Sequence, residues 1–178
     1  MSIVLVGSTS GSITLQEPAV AGTTVLTLPA VTGTVLTTTS PKTGNVLQVV
    51  SATYSTEISN STATYSDAGL SVSITPSSSS SKILVLCSQG MFKSTLSGGI
   101  YMQVLRDSTS ILVNGRLGIT DSAGVGGSVL WSCNYLDSPA TTSAITYKTQ
   151  FKNINTTGTA YVNIDGSTAQ ITLLEIAG

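Results

Sequence analysis

Apolar and polar residues alternate along most of this chain with a period of two. Leu70, Val72 and Ile74 fall on one side of an extended segment, with Ser71, Ser73 and Thr75 on the other. Tyr147, Thr149 and Phe151 likewise oppose Thr146, Lys148, Gln150 and Lys152. Side chains on a strand point alternately to the two faces of a sheet, so this pattern predicts half-buried strands. Strands are predicted at about 45–53, 69–75, 82–89, 99–106, 110–116, 128–136, 145–152, 159–164 and 169–176. No window carries the i, i+3, i+4, i+7 stripe of an amphipathic helix. Ile83-Leu-Val-Leu-Cys87 and Val129-Leu-Trp131 are apolar on both faces. Their second face is expected to be covered, and in an oligomer the cover is a neighbouring copy. The last strand, Ile171-Thr-Leu-Leu-Glu-Ile176, is expected to be central in its sheet or inside an interface.

The segments between the strands are turn-like. Arg106-Asp-Ser-Thr-Ser110 reads as a short hairpin loop, Pro76–Lys82 as an exposed serine loop, and Asp121–Gly127 as a glycine-rich one. Leu136–Ser143 and Asn153–Gly158 close the others. Eight or nine strands separated by such turns predict a two-sheet β-sandwich or jelly roll.

The first forty residues follow a different rule. Gly11, Gly22, Gly33 and Gly44 stand eleven residues apart, each opening a short strand-like phrase, and Pro-Ala-Val-x-Gly-Thr occurs at 18–23 and again at 29–34. A repeat this small cannot bury its own apolar face and is stable only when stacked on copies of itself. Thr37-Thr-Thr-Ser-Pro41 reads as a linker. The organisation predicted is therefore a glycine-period β segment over 1–40 and a sandwich domain over 41–178.

Composition adds an assembly argument. Charged residues are 8% of the 178, the net charge is −1, and Ser and Thr supply 28 residues each. Typical soluble domains carry about 25% charged residues. A surface this poor in charge has little protection against self-association, so much of it is expected to be covered by subunit contacts. Seven dispersed Lys and Arg cannot build a phosphate-tracking stripe, which argues against nucleic-acid binding. No segment approaches the roughly 20 apolar residues that span a bilayer, and Met1–Gly7 lacks the basic start of a secretory leader. Membrane insertion is not expected. Cys87 and Cys133 lie in apolar strand-like runs and are expected as two buried thiols. Asn60-Ser-Thr and Asn155-Thr-Thr match the glycosylation sequon, a pattern common by chance in Ser/Thr-rich chains.

The inventory for catalysis is thin. There is no histidine, so His-based triads and the commonest metal ligand are absent. Eight acids are scattered, and Asp107, Asp137 and Asp165 are expected to cap turns rather than to form the paired carboxylates of a glycosidase. Ser79-Ser-Ser-Lys82 has a Ser-x-x-Lys spacing that a five-serine loop produces by chance. No enzyme activity, cofactor or metal is expected. Trp131, Tyr101, Tyr135, Tyr147, Phe151 and Tyr161 are expected in a core or a subunit interface rather than in glycan stacking. Lys93–Gly99 and Thr120–Gly127 are the loops expected to meet any receptor.

The opening, Gly7-Ser-Thr-Ser-Gly-Ser-Ile-Thr-Leu15 through Thr23-Thr-Val-Leu-Thr-Leu-Pro29 to Gly33-Thr-Val-Leu36, resembles a segment common in virion proteins of tailed bacteriophages, marine and cyanobacterial ones especially. Ile74–Val85, Val104–Ser108, Tyr135–Ser143 and Ile171–Gly178 resemble small phage jelly-roll domains. The resemblance implies a jelly roll of the trimeric complement/tumour-necrosis-factor type, located on the phage particle as a capsid decoration, head fibre or spike. Implied partners are two further copies of the chain, the major capsid protein or another virion protein, and, if the protein is a tail-fibre adhesin, a host surface glycan. The chain starts directly at the glycine-period segment, which favours a short appendage over a full-length tail fibre. The 1–40 segment is expected to anchor by strand addition, with Ile13, Leu15, Val25, Leu26, Leu28, Val35 and Leu36 setting the register. Candidate trimer contacts are Leu84, Leu86, Trp131, Leu173 and Ile176.

Overall fold

A computed structural model describes residues 3–6, 9–10, 12–15, 41–95, 98–117 and 126–178. The chain divides into two compact units, Met1–Val35 and Leu36–Gly178. In the first, β1 (Ile3–Val6) and β2 (Ser12–Leu15) form an antiparallel hairpin with Ile3 opposite Leu15 and Leu5 opposite Ile13. One edge of the predicted Ile13–Leu15 strand is thus taken within the chain by β1. The Ile3–Val6 strand was not foreseen, because four consecutive apolar residues carry no alternation. Val25, Leu26, Leu28, Val35 and Leu36 lie outside the described residues.

The second unit is an all-β sandwich. Its strands are β3 (Val46–Tyr54), β4 (Ile58–Asn60), β5 (Ser66–Ile74), β6 (Lys82–Lys93), β7 (Ile100–Arg106) and β8 (Thr109–Leu117). They continue with β9 (Gly127–Asp137), β10 (Ile145–Asn153), β11 (Ala160–Val162) and β12 (Ala169–Ile176). One sheet has the order β5-β10-β7-β8. The other runs β3-β12-β6-β11-β4, with β9 paired to the free side of β6. The principal strands of the second sheet are therefore β3, β12, β6 and β9, and every ladder is antiparallel. A chain that crosses between two four-stranded layers in this order is a jelly roll. β12 lies between β3 and β6, the central place expected of the last strand.

The core sits between the layers. Ile83, Val85 and Met91 of β6, Leu70 and Ile74 of β5, Met102 and Val104 of β7, and Tyr147 and Phe151 of β10 are all buried. Each such side chain contributes roughly 1.5–3 kcal/mol by leaving water. Polar groups also cross the core. Gln89 of β6 donates through Nε2 to the Ala68 carbonyl (2.9 Å) and to Asn163 Oδ1 (3.1 Å). Its Oε1 accepts from the Thr149 hydroxyl at 3.0 Å. These bonds join the two layers, and leaving any one of them unmade would cost about 1–3 kcal/mol.

One irregularity fixes the shape of β5. Lys148 opposes Ser71 while Gln150 opposes Asp67, so three residues of β5 stand against one of β10. Gly69 forms this bulge at φ +82, and a Cβ there would lie 2.2 Å from a ring carbon of Tyr54. Asp137 corrects a sequence expectation. It is a buried strand-end carboxylate held by Arg106 and Tyr147, and caps no turn. Asp107 stands in its turn at φ 52, and its carboxylate accepts from the Thr146 amide of β10 at 2.9 Å. Lys93 is another correction, as it belongs to β6, is buried, and donates to the Thr157 carbonyl, so it offers nothing to a receptor loop. Asn60 is also unavailable as a sequon, since its buried amide nitrogen donates to Thr64, Ser66 and Phe151.

Candidate assembly interface

The outer face of the β3-β12-β6-β9 sheet follows from strand parity. On β6, Ile83, Val85, Cys87, Gln89 and Met91 face the core, so Leu84, Leu86 and Ser88 face outward. Register then builds a row across the sheet. Val49 opposes Leu174, Leu174 opposes Leu84, and Leu84 opposes Leu136. Four aliphatic side chains from four strands thus lie side by side. Leu86 stands in the next row between Thr172 and Asn134, and on the other flank Ile176 stands between Val46 and Lys82. Val49 is 57% exposed, Leu136 50% and Leu86 39%. Among the described residues of these four strands, Lys82 is the one charge on this face. Further along, Leu130 (70% exposed) rims a cavity of about 300 Å³ that Gly90 leaves open beside Asp165 and Ser167.

The five candidate trimer contacts divide between the two faces. Leu84, Leu86 and Ile176 point outward. Leu173 and Trp131 are in the core, with exposures of 0% and 2%, and cannot touch a neighbouring copy. The reason is parity: Leu173 and Ile176 are an odd number of residues apart on one strand and so face opposite ways. The same rule applied to β12 identifies Leu174, which the sequence reading left out together with Val49 and Leu136. The Trp131 indole nitrogen meets no acceptor among the described residues.

The opposite outer face, on the β5-β10-β7-β8 sheet, is polar and cross-linked. Gln103 Nε2 donates to Gln150 Oε1 at 2.8 Å, Gln150 Nε2 to Asp67 Oδ1 at 2.6 Å, and the Ser110 hydroxyl to Gln103 Oε1 at 2.9 Å. Lys148 pairs with Asp67 at 3.0 Å. The Gln150 hydrogen bond outweighs partial burial, and with help from Lys148 it holds the Asp67 carboxyl below its ordinary range. In the adjacent row the Lys152 ammonium lies 4.6 Å from the Tyr65 ring centre and 5.2 Å from that of Tyr101, a double cation–π contact.

Glu175 and Asp137 are engaged in structure. Burial alone would raise the pKa of Glu175, but hydrogen bonds from Ser77 and Gln48 win and lower it. Asp137 accepts from Arg106 and Tyr147, and burial with that hydrogen bond pushes the Tyr147 phenol far above its usual range. No group of three or more metal-ligating side chains occurs among the described residues. None of their helices is long and apolar enough to cross a membrane.

No protein-family model matches the chain, and no curated protein matches it. Among solved structures it is similar to VP2 of infectious bursal disease virus in a subviral particle, at 12% identity and TM-score 0.40, over 74% of this chain and 38% of that one. A VP2 point mutant in T=1 particles gives 12% identity and TM-score 0.41 over 94% and 43%. The structure of the virus's Gt strain gives 13% and 0.31 over 98% and 46%. The chain thus spans less than half the length of the viral chains it matches.

Proposed function

We propose that the protein is a structural subunit of a bacteriophage virion, a homotrimeric jelly roll that decorates the capsid or forms a head fibre. Its N-terminal segment fixes it to the major capsid protein or another virion protein. The observation that carries this reading is the outer face of the β3-β12-β6-β9 sheet, where Val49, Leu174, Leu84 and Leu136 line up across four strands beside a single charge. A row of this kind suits burial against an equally uncharged surface, and the chain's own surface, with 8% charged residues overall, is one. The resemblance of residues 7–36 to phage virion segments supports the placement on a particle. The test is the native mass of the full chain, followed by co-sedimentation with undecorated capsids. Three chains per particle and capsid binding that is lost on deleting residues 1–40 support the reading; a monomer that ignores capsids overturns it.

A second reading, a tail-fibre adhesin, has its own support in the Tyr65–Lys152–Tyr101 row beside the Gln150–Gln103 amides. Aromatic rings flanked by amides suit a host surface glycan. Binding to host cells without binding to capsids, abolished by Tyr101→Ala, would favour it.

A further inference from the structure

Cys87 and Cys133 are the two cysteines of the chain, and both are free thiols. They stand directly opposite each other in the β6–β9 ladder, forty-six residues apart in sequence. Directly opposed residues on antiparallel strands have Cα atoms about 4.5–5.5 Å apart. A disulfide spans Cα separations of about 4.4–6.8 Å. Both side chains take the inward parity of their strands, Cys87 with Val85 and Gln89, Cys133 with Trp131 and Tyr135. Because the two positions are paired in register and share a face, no strand has to slide or turn over for the sulfurs to meet.

We propose that Cys87 and Cys133 form an oxidative modification site, closing to a disulfide across β6 and β9 when the protein meets a small-molecule disulfide. Cys133 is half-buried whereas Cys87 is buried, so Cys133 is the sulfur a reagent reaches first. Its thiolate attacks one sulfur of the small disulfide, the S–S bond of the reagent breaks, and one small thiolate leaves. Cys87 then gives its proton to solvent and attacks the Cys133 sulfur of the mixed disulfide, releasing the second small thiol. Two protein thiols are oxidised and one reagent disulfide is reduced to two thiols. The nearness of Cys87 holds the Cys133 thiol below its ordinary range against the effect of burial, in keeping with its greater exposure. Cys87 moves the opposite way, raised by the same contact and by burial.

The bond would act on a specific weak point. Among the described strands β9 pairs with β6 alone, so it is the edge of its sheet. A cross-link at Cys133 ties the middle of that edge to the middle of β6 and opposes its peeling. A protein made in a reducing cell and used outside it would be locked on release.

The full-length native protein is incubated with oxidised glutathione, denatured in an alkylating agent and weighed intact. The expected result is that the two alkylatable thiols per chain fall to none, the mass drops by two hydrogens, no glutathione is retained, and reductant restores both thiols. The melting temperature without reductant should rise by several degrees. In Cys87→Ser the same treatment should leave glutathione on Cys133, because the resolving thiol is gone. Two alkylatable thiols after treatment, a lasting glutathione adduct on the unsubstituted protein, or a disulfide-linked dimer would each overturn the proposal.

Discussion

Arg106 and Asp137 meet in a two-pronged ion pair, the Arg106 Nη1 donating to the two carboxylate oxygens at 3.0 and 2.8 Å. Arg106 ends β7 in one sheet and Asp137 ends β9 in the other, so the pair closes one margin of the sandwich. Tyr147 of β10 donates its hydroxyl to the same carboxylate at 2.7 Å. Removing the carboxylate leaves a guanidinium and a buried phenol without their acceptor. Asp137→Ala should therefore cost about 3 kcal/mol, and Tyr147→Phe about 1 kcal/mol, in urea unfolding. A loss below about 0.5 kcal/mol for Asp137→Ala would mean that water replaces the carboxylate there.

Glu175 should govern the acid limit of stability. Its folded pKa lies below the ordinary value of 4.5, because donors from Ser77 and Gln48 overcome the effect of burial. A group with a depressed folded pKa contributes stability above its unfolded pKa and loses that contribution as pH falls through the folded one. Unfolding free energy should thus hold steady at neutral pH and decline below about 4.5. In Glu175→Gln that decline should be shallower, on a neutral-pH stability lower by about 2 kcal/mol. Equal slopes for both proteins in acid would assign the decline to other carboxylates.

Gly69 should not tolerate a side chain. Its φ of +82 disfavours any L residue, and the added Cβ would sit 2.2 Å from the Tyr54 ring. Gly69→Ala is expected to lower stability by about 2–4 kcal/mol, combining backbone strain with overpacking. The double variant with Tyr54→Ala removes the clash but not the strain. The effect of Gly69→Ala should therefore be smaller in that background, a coupling that thermal melts of the four proteins would read.

The outer apolar row should control assembly without controlling the fold. Leu86→Lys and Leu136→Glu place charges on side chains that are 39% and 50% exposed. Together they are expected to yield a monomer by sedimentation while changing urea stability per chain at low concentration by about 0.5 kcal/mol or less. An unchanged native mass would move the interface elsewhere.

How much of this was legible in the chain depended on range. The alternation in Tyr147–Phe151 placed β10 almost residue for residue, because one buried face is a local signal, while that in Leu70–Ile74 found β5 but began it three residues late, at the Gly69 bulge that interrupts the pattern. β4 escaped notice, as Ile58-Ser-Asn60 is a single apolar residue between polar ones and is a strand only because β11 pairs with it. Leu173 and Ile176 were grouped by hydrophobicity where spacing separates them. Asp137 and Gln89 were beyond reach for a different reason. A polar residue is by default assigned to the surface or a turn, and only contacts from distant strands (Arg106 and Tyr147 for one, Asn163 and Thr149 for the other) make burial favourable.

The ends of the sandwich are stitched together. The Gly44 amide donates to the Ala177 carbonyl at 2.9 Å, and the Ala177 amide donates to the Asn45 carbonyl at 2.8 Å. In terms of connectivity the domain is nearly a ring, and a short tether from Gly178 to Lys42 would close it without disturbing either strand. New ends could then be opened in the exposed turn near Ser138 and Ser143, which would move the point of attachment from the β12 strand end to the β9 strand end. A passenger peptide joined at Gly178 emerges beside residues 43–45 and one joined at the opened turn emerges beside Asp137; Glu175, Ile83 and Asp137 share one row, so either junction displays its cargo from the same end of the sandwich, two strands apart.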